Sequence, residues 1–395
     1  MMPVEHTCPS CGGRDLEVFY EVRGIPVHDV LLMPTAEIAL GYPQGDVALG
    51  LCRGCGFIFN TQFDPRLPAY SSECEETQGF SPTFQEFHRR LARRLVDTYD
   101  LRGKDILEIG CGKGEFLTLL CEMGENRGVG FDPAYVAERL RSPAAERVRF
   151  ISDFYSDRYA GCKADFVVCK MTLEHIPATR EFVTMLRRAG SRERPPVVFV
   201  QVPNVRLILR ELRFWDVYYE HCSYFSSGSL ARLFERAGFD IVRLGTEYAE
   251  QYLTVEARRV EGDVAASGLA PEDDVEELAK EARRFGQMCR ARLSHWRQDL
   301  DRLRQEGRRA VVWGGGSKAV GFLTTLKVGE EVRCVVDINP YRQNTYLAGT
   351  GHPIVAPEVL RQCRPDLVIV MNPVYRDEVA RELQRMGLGP QVVTV

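Results

Sequence analysis

Three observations predict an α/β fold built in parts. From about residue 80 short apolar runs alternate with amphipathic helical stretches, the pattern of a mostly parallel sheet covered by helices. Two CxxC pairs mark a Gly-, Pro- and Cys-rich segment at the N-terminus. The alternation starts again after Gly307, beyond one long amphipathic stretch. A chain of 395 residues is too long for a single compact core, so such a division is expected. The boundaries read as 1–70 for a metal-binding module, 71–268 for the larger α/β unit, 269–307 for a linking helix and 308–395 for a smaller Rossmann-like unit.

The N-terminal segment carries short strand-like pieces such as LEVFYEV and GFIFN between turns. Cys8 and Cys11, then Cys52 and Cys55, each place two thiols on a tight knuckle, with Gly12 and Gly56 following as such turns need. Four sulfurs complete a tetrahedral zinc site and leave no position open for a substrate, so this metal is expected to hold the fold. A redox CxxC would open a thioredoxin-like helix, and none follows here. The nine other cysteines are scattered singly and read as small core hydrophobes.

In the larger unit the run ILEIGCGKGEFL is an apolar strand leading through Gly110, Gly112 and Gly114 into a helix, with Glu108 two residues before the turn. Glycines let a ligand approach the backbone, and the helix beyond offers free amides. The GxGxG spacing suits S-adenosylmethionine better than a dinucleotide pyrophosphate. This run resembles the first motif of the class I methyltransferases. That resemblance places Asp132, at the end of GVGFD, on the ribose hydroxyls and Asp153 with Phe154 at the adenine. It also places Leu173, Glu174 and His175 of MTLEHIP around the cofactor pocket.

Residues 271 to about 307 carry apolar side chains at Val275, Leu278, Ala282, Phe285, Cys289, Leu293, Trp296, Leu300 and Leu303, steps of three and four that make one helix. Beyond it, Trp313-Gly-Gly-Gly-Ser-Lys318 follows an apolar strand and precedes a helix, with Asp337 ending the next strand. Taken alone, this reads as a dinucleotide site. GGGSKA is not GxGxxG, however, and Lys318 would serve an anionic group as well. A structural or substrate-binding unit is the preferred reading.

The CxxC pairs, the central glycine motif, YEH before SYFS and a VVWGxGxK domain occur in the order seen in the sugar C-methyltransferases of bacterial deoxysugar pathways, and the chain resembles that family over essentially its whole length. The resemblance implies transfer of a methyl group from S-adenosylmethionine to the carbon next to a ketone of a nucleotide-linked deoxysugar. It implies that the zinc module helps enclose the substrate, and that the C-terminal unit binds no dinucleotide but lines the sugar-nucleotide pocket.

Carbon becomes a nucleophile once a base removes a proton beside a carbonyl and the enolate oxygen is stabilised. The stretch YYEHCSYFS, residues 218–226, is the candidate. His221 matches the family's base, Glu220 orients or tunes it, and Tyr218 is a phenol near the oxyanion. Tyr224, Phe225 and Ser226 read instead as packing or as the cap of the next helix. Substrate contacts are expected from Tyr70, Asn204, Tyr219, Lys318 and Asn372. Tyr219 departs from the family, which often has histidine there, as Gln201 to Asn204 and Val370 to Tyr375 depart from its usual runs. A methyltransferase of this architecture acting on another carbon or oxygen, or a non-catalytic zinc-ribbon protein on the same scaffold, are the competing readings.

Composition limits the partners. With 51 basic against 55 acidic residues, the net charge of −4 gives no general attraction to phosphate backbones or anionic membranes. No apolar run reaches the roughly 20 residues of a membrane span, and the first residues have no signal-peptide pattern. A cytoplasmic protein is expected, monomeric or weakly oligomeric, with a small-molecule substrate and neither nucleic acid nor membrane as partner.

Overall fold

The computed structural model describes residues 6–139, 142–159, 161–190, 195–260 and 274–395. Residues 269–273, read as the start of the linking helix, lie outside them. The strands are β1 (Leu16–Pro26), β2 (Gln44–Cys52), β3 (Ile58–Asn60), β4 (Asp105–Ile109), β5 (Arg127–Phe131), β6 (Val148–Ile151), β7 (Phe166–Lys170), β8 (Val197–Pro203) and β9 (Ser223–Tyr224). After them come β10 (Phe239–Glu247), β11 (Tyr252–Arg259), β12 (Ala310–Trp313), β13 (Val332–Val336), β14 (Thr345–Tyr346), β15 (Pro353–Val355), β16 (Leu367–Val370) and β17 (Gln391–Thr394).

These strands form three sheets, ordered β1-β2-β3-β9, β10-β11-β8-β7-β4-β5-β6 and β14-β15-β13-β12-β16-β17. The seven-stranded sheet is parallel except at β11, which runs antiparallel to both neighbours. Its first strand in sequence, β4, sits between β5 and β7, so the chain leaves it in opposite directions and opens a crevice at its carboxyl end. The glycine turn falls in that crevice. Strands β4, β7 and β8 are buried on both faces, which is why they read as unbroken apolar runs.

The helix Pro82–Tyr99 starts where the side chain of Ser81 caps Phe84 N and Pro82 fills the first turn; Phe84, Phe87, Leu91 and Leu95 give it one buried face. The helix Asp274–Gln305 buries Leu278, Ala282, Phe285, Cys289, Leu300 and Leu303, six positions of the expected stripe. Leu293 and Trp296 pack partly buried against the same core. That core joins Ile25 and Leu49 of the N-terminal sheet to Val335 of the C-terminal sheet and Phe322 of the helix Ser317–Thr325. Gly286 lets the helix touch β1: a Cβ there would stand 1.9 Å from the carbonyl oxygen of Phe19.

One strand departs from the expected division. Ser223 and Tyr224 of β9 pair with Phe59 and Ile58, so the YYEHCSYFS segment completes the N-terminal sheet. Tyr224 and Phe225 are buried there, and Ser226 is the N-cap of the helix Ser227–Arg236 with a capping box to Ser229. Among the described residues no helix is long and apolar enough to cross a membrane.

Candidate active site

The four knuckle cysteines converge: their sulfurs all lie within 4.8 Å of one another. Cys8 Sγ is 3.7 Å from Cys55 Sγ, and Cys11 Sγ is 3.5 Å from Cys52 Sγ. A tetrahedron with zinc–sulfur bonds of about 2.3 Å needs sulfurs about 3.8 Å apart, so the donor set fits that ion. Each knuckle closes through a backbone bond, Gly12 N to Cys8 O and Gly56 N to Cys52 O, both 2.8 Å, with the two glycines at φ 78° and 72°. All four thiols are free of disulfides.

A cavity of about 720 Å³ runs from the glycine turn after β4 to the turn after β12. At the first end lie Glu108, Gly110, Gly112, Asp132, Asp153 and Phe154. The backbone N–H groups of Gly112 and Ala134 donate to the Asp132 carboxylate at 2.8 and 2.7 Å, which holds that acid at the strand end. Glu108 keeps Oε2 buried without a partner, and burial pushes its carboxyl up to about 8. Asp153 is held below the usual carboxylate range by the hydroxyl of Tyr159, which donates to it at 2.7 Å. Orphaned acceptors and glycines at φ 71° and 53° form a cradle that suits a ligand with hydroxyl and ammonium donors.

Over this cradle crosses the segment from Tyr70 to Phe80. Lys113 Nζ donates to the carbonyls of Cys74 and Ala134 at 2.7 and 2.6 Å. Glu75 is buried; Arg139 bonds both its oxygens at 2.6 and 3.0 Å, and Asn339 donates to Oε1 at 2.8 Å. Parts of the chain far apart in sequence close on that carboxylate, which a sequence pattern does not show.

The catalytic candidates stand in the same cavity. His221 lies ring to edge with His175, centroids 4.8 Å apart, and with Tyr218, 4.7 Å apart. Burial, then His175, then Lys318 hold His221 well below its usual range, so it is neutral near pH 7, and its Nδ1 has no partner. His175, pushed down to about 4 by burial, shares a 2.8 Å hydrogen bond through Nδ1 with the hydroxyl of Tyr70. Glu220 faces away from His221 in its polar contacts: Oε1 accepts from Asp29 N at 2.8 Å and meets His28 Nδ1, and Oε2 lies 4.0 Å from His175 Nδ1. Tyr218 donates its hydroxyl to Asp216 Oδ1 at 2.8 Å, and the same carboxylate binds Lys318 Nζ, so this phenol is engaged inside the wall.

Three expected residues are placed elsewhere. Tyr219 is turned out of the cavity into the N-terminal sheet, where its hydroxyl accepts from Asp64 N at 2.9 Å and its ring fills the space over Gly45. Leu173 is fully buried in the core and does not line the cavity. Gly114 caps the helix Glu115–Gly124 in a left-handed conformation and does not line the cavity. Asn204 and Asn372 do line it, the first capping Arg206 N and the second in a paired amide contact with Gln251 at 2.9 and 3.1 Å. Asp29, Lys113, Lys170 and Arg342, which line the cavity, and His28, which stands against Glu220, escaped the sequence reading; only the titratable pair in PVHDV offered a signal, with no motif around it.

Comparison with known proteins bears on this site. Residues 84–244 match the model of a methyltransferase domain, and residues 256–394 match that of a C-methyltransferase C-terminal domain. C-methyltransferase NovU of Streptomyces niveus is 26% identical over 314 residues, covering 74% of this chain and 72% of that protein. Among solved structures, a SAM-dependent methyltransferase from Aquifex aeolicus is similar at TM-score 0.37 and 17% identity, covering 46% of this chain and 94% of the other. Magnesium protoporphyrin IX methyltransferase from Synechocystis PCC 6803, solved with bound SAH, gives 0.35 and 19%, covering 45% and 84%.

Proposed function

We propose that the chain, which its two family matches support as an S-adenosylmethionine-dependent C-methyltransferase, methylates the carbon next to a ketone of a nucleotide-linked deoxysugar. The observation that carries the reading is one cavity holding both the glycine cradle and a neutral, unpartnered histidine. Glu108, Gly110, Gly112, Asp132, Asp153 and Phe154 are the residues that would hold the cofactor, which supplies an activated methyl group when bound. Lys318 and the turn after β12 stand at the far end, where an anionic nucleotide would extend.

His221 acts as the base. Its neutral ring removes the proton beside the ketone, and the charge moves to the ketone oxygen as an enolate. Tyr70, which lines the same cavity, has a hydroxyl proton to give: with the proton of His175 on Nδ1, that N–H donates to Tyr70 and leaves the phenol free to bond the oxyanion. Tyr218 supports the ring of His221 and, through Asp216, holds Lys318. The four cysteines would hold a structural zinc ion, which would stabilise the knuckle between β2 and β3, and β3 is the strand that pairs with β9 of the catalytic turn.

The test uses dTDP-4-keto-6-deoxyglucose and methyl-labelled cofactor, with the product read by NMR. A methyl on carbon, together with solvent deuterium appearing at that carbon, is expected. His221→Ala should lower turnover at least about 100-fold, with cofactor affinity by calorimetry within about threefold. A methyl on oxygen, or His221→Ala retaining turnover, overturns the reading.

A further inference from the structure

Lys170 has no role in the reaction as described, yet it ends β7 next to the glycine turn and lines the cavity. Glu108 is in register with Val168, and Lys170 with Gln201, so Glu108, Lys170 and Gln201 share one face of the sheet near the carboxyl ends of three neighbouring strands. Lower on that face Ile106, Val168 and Phe199 pack with Phe84 and Phe116 of the covering helices. The Lys170 ammonium makes no hydrogen bond or ion pair among the described residues; Nζ stands 5.9 and 5.5 Å from the ring centroids of Phe84 and Phe116. Both amide atoms of Gln201 and Oε2 of Glu108 are likewise buried without a partner. Burial holds the Lys170 ammonium below its ordinary range, and Glu108, Glu115 and Glu174 draw it back up.

Resting on the reading of the glycine turn as the cofactor's cradle, we propose that Lys170, with Gln201 beside it, is the carboxylate-binding residue of that cradle: its ammonium pairs with the carboxylate at the methionine end of S-adenosylmethionine, while Glu108 takes the adjacent ammonium. Polar groups left unpaired in a buried wall carry a desolvation cost that a ligand with complementary groups removes. A cation and an acid side by side on one wall match a ligand end that carries both charges, as an α-amino acid does. The sheet order fixes which end of the cofactor arrives here. β4 lies between β5 and β7, and Asp132, read as the ribose acid, ends β5. The nucleoside therefore occupies the β5 side of the glycine turn, and the amino-acid end crosses Gly110 to the β7 side. The phosphates of an acceptor would reach Lys318, at the turn after β12, instead. The rings of Phe84 and Phe116 flank the Lys170 ammonium and keep water from the pair, which strengthens it.

The test needs no acceptor and no turnover. Calorimetry on the full-length, zinc-loaded protein compares S-adenosylmethionine with decarboxylated S-adenosylmethionine, which lacks only that carboxylate. The wild-type protein should bind the first at least about 10-fold more tightly, the scale of a charge-assisted hydrogen bond in a buried site. Lys170→Met should weaken S-adenosylmethionine by at least about 10-fold and leave the decarboxylated ligand within about threefold, so that the preference collapses. Lys170→Gln, a milder change, reads the same collapse should Lys170→Met not fold, and Lys170→Arg, which keeps the cation, should retain more of the preference than either. Equal losses for both ligands, as a merely structural lysine would give, overturn the proposal. So does a wild-type protein that binds the two ligands equally. Binding of neither ligand by the wild-type protein is a distinct result: it overturns the reading of the cradle, and the proposal with it.

Discussion

Glu174 offers a stability test that the structure makes quantitative. Its side chain is fully buried, neither carboxylate oxygen has a hydrogen-bond partner, and burial pushes it up to about 8 from an ordinary 4.5, with Lys170 only partly countering. The folded protein therefore holds this proton more tightly than the unfolded chain. Its contribution is fully present below about pH 4.5, is lost as pH rises to about 8, and changes no further above that. At about 1.4 kcal/mol per pH unit the loss has a ceiling of about 5 kcal/mol. Glu174→Gln keeps the shape of the protonated acid and cannot ionise. We expect equal melting temperatures for the two proteins near pH 5 and a variant more stable by at least about 5 °C at pH 8.5, measured without cofactor at one scan rate. A difference that is the same at both pH values would refute the reasoning, because it would show that Glu174 does not carry the pH-dependent cost.

Three further outcomes follow from contacts away from the base. Cys8→Ser should abolish stoichiometric zinc, read by elemental analysis, and lower the melting temperature by about 10 °C or more, because metal-binding energy is folding energy at such sites. Gly286→Ala should destabilise by about 1–3 kcal/mol in urea unfolding despite alanine's better helix propensity, since the added methyl meets the Phe19 carbonyl at 1.9 Å. Tyr219→Phe should cost about 1 kcal/mol through the lost acceptor for Asp64 N and leave turnover unchanged; a selective loss of turnover would place Tyr219 in the substrate pocket after all.

Much of the architecture was legible because it rests on local patterns. The apolar stripe of Asp274–Gln305 survives at six of its positions because a helix repeats its buried face every three or four residues whatever it packs against. The glycine turn after β4 and the acid at Asp132 were legible for a similar reason: the turn needs residues tolerant of φ 71° and 53°, and few but glycine supply them. YYEHCSYFS divided only in space. Tyr219 turns into the N-terminal sheet and Glu220 toward His28, while Ser226 caps the next helix.

What the sequence by itself determined is the set of local devices: two cysteine knuckles, a glycine turn after β4, a long helix and a second glycine turn, each encoded within a few residues. The tertiary structure alone decided which distant groups meet. β9 joins the N-terminal sheet, Glu75 is clamped by Arg139 and Asn339, and Glu220 is met by His28. The physical reason is that burial and pairing of a charge depend on what closes over it from elsewhere in the chain, and no periodicity in the sequence records that closure.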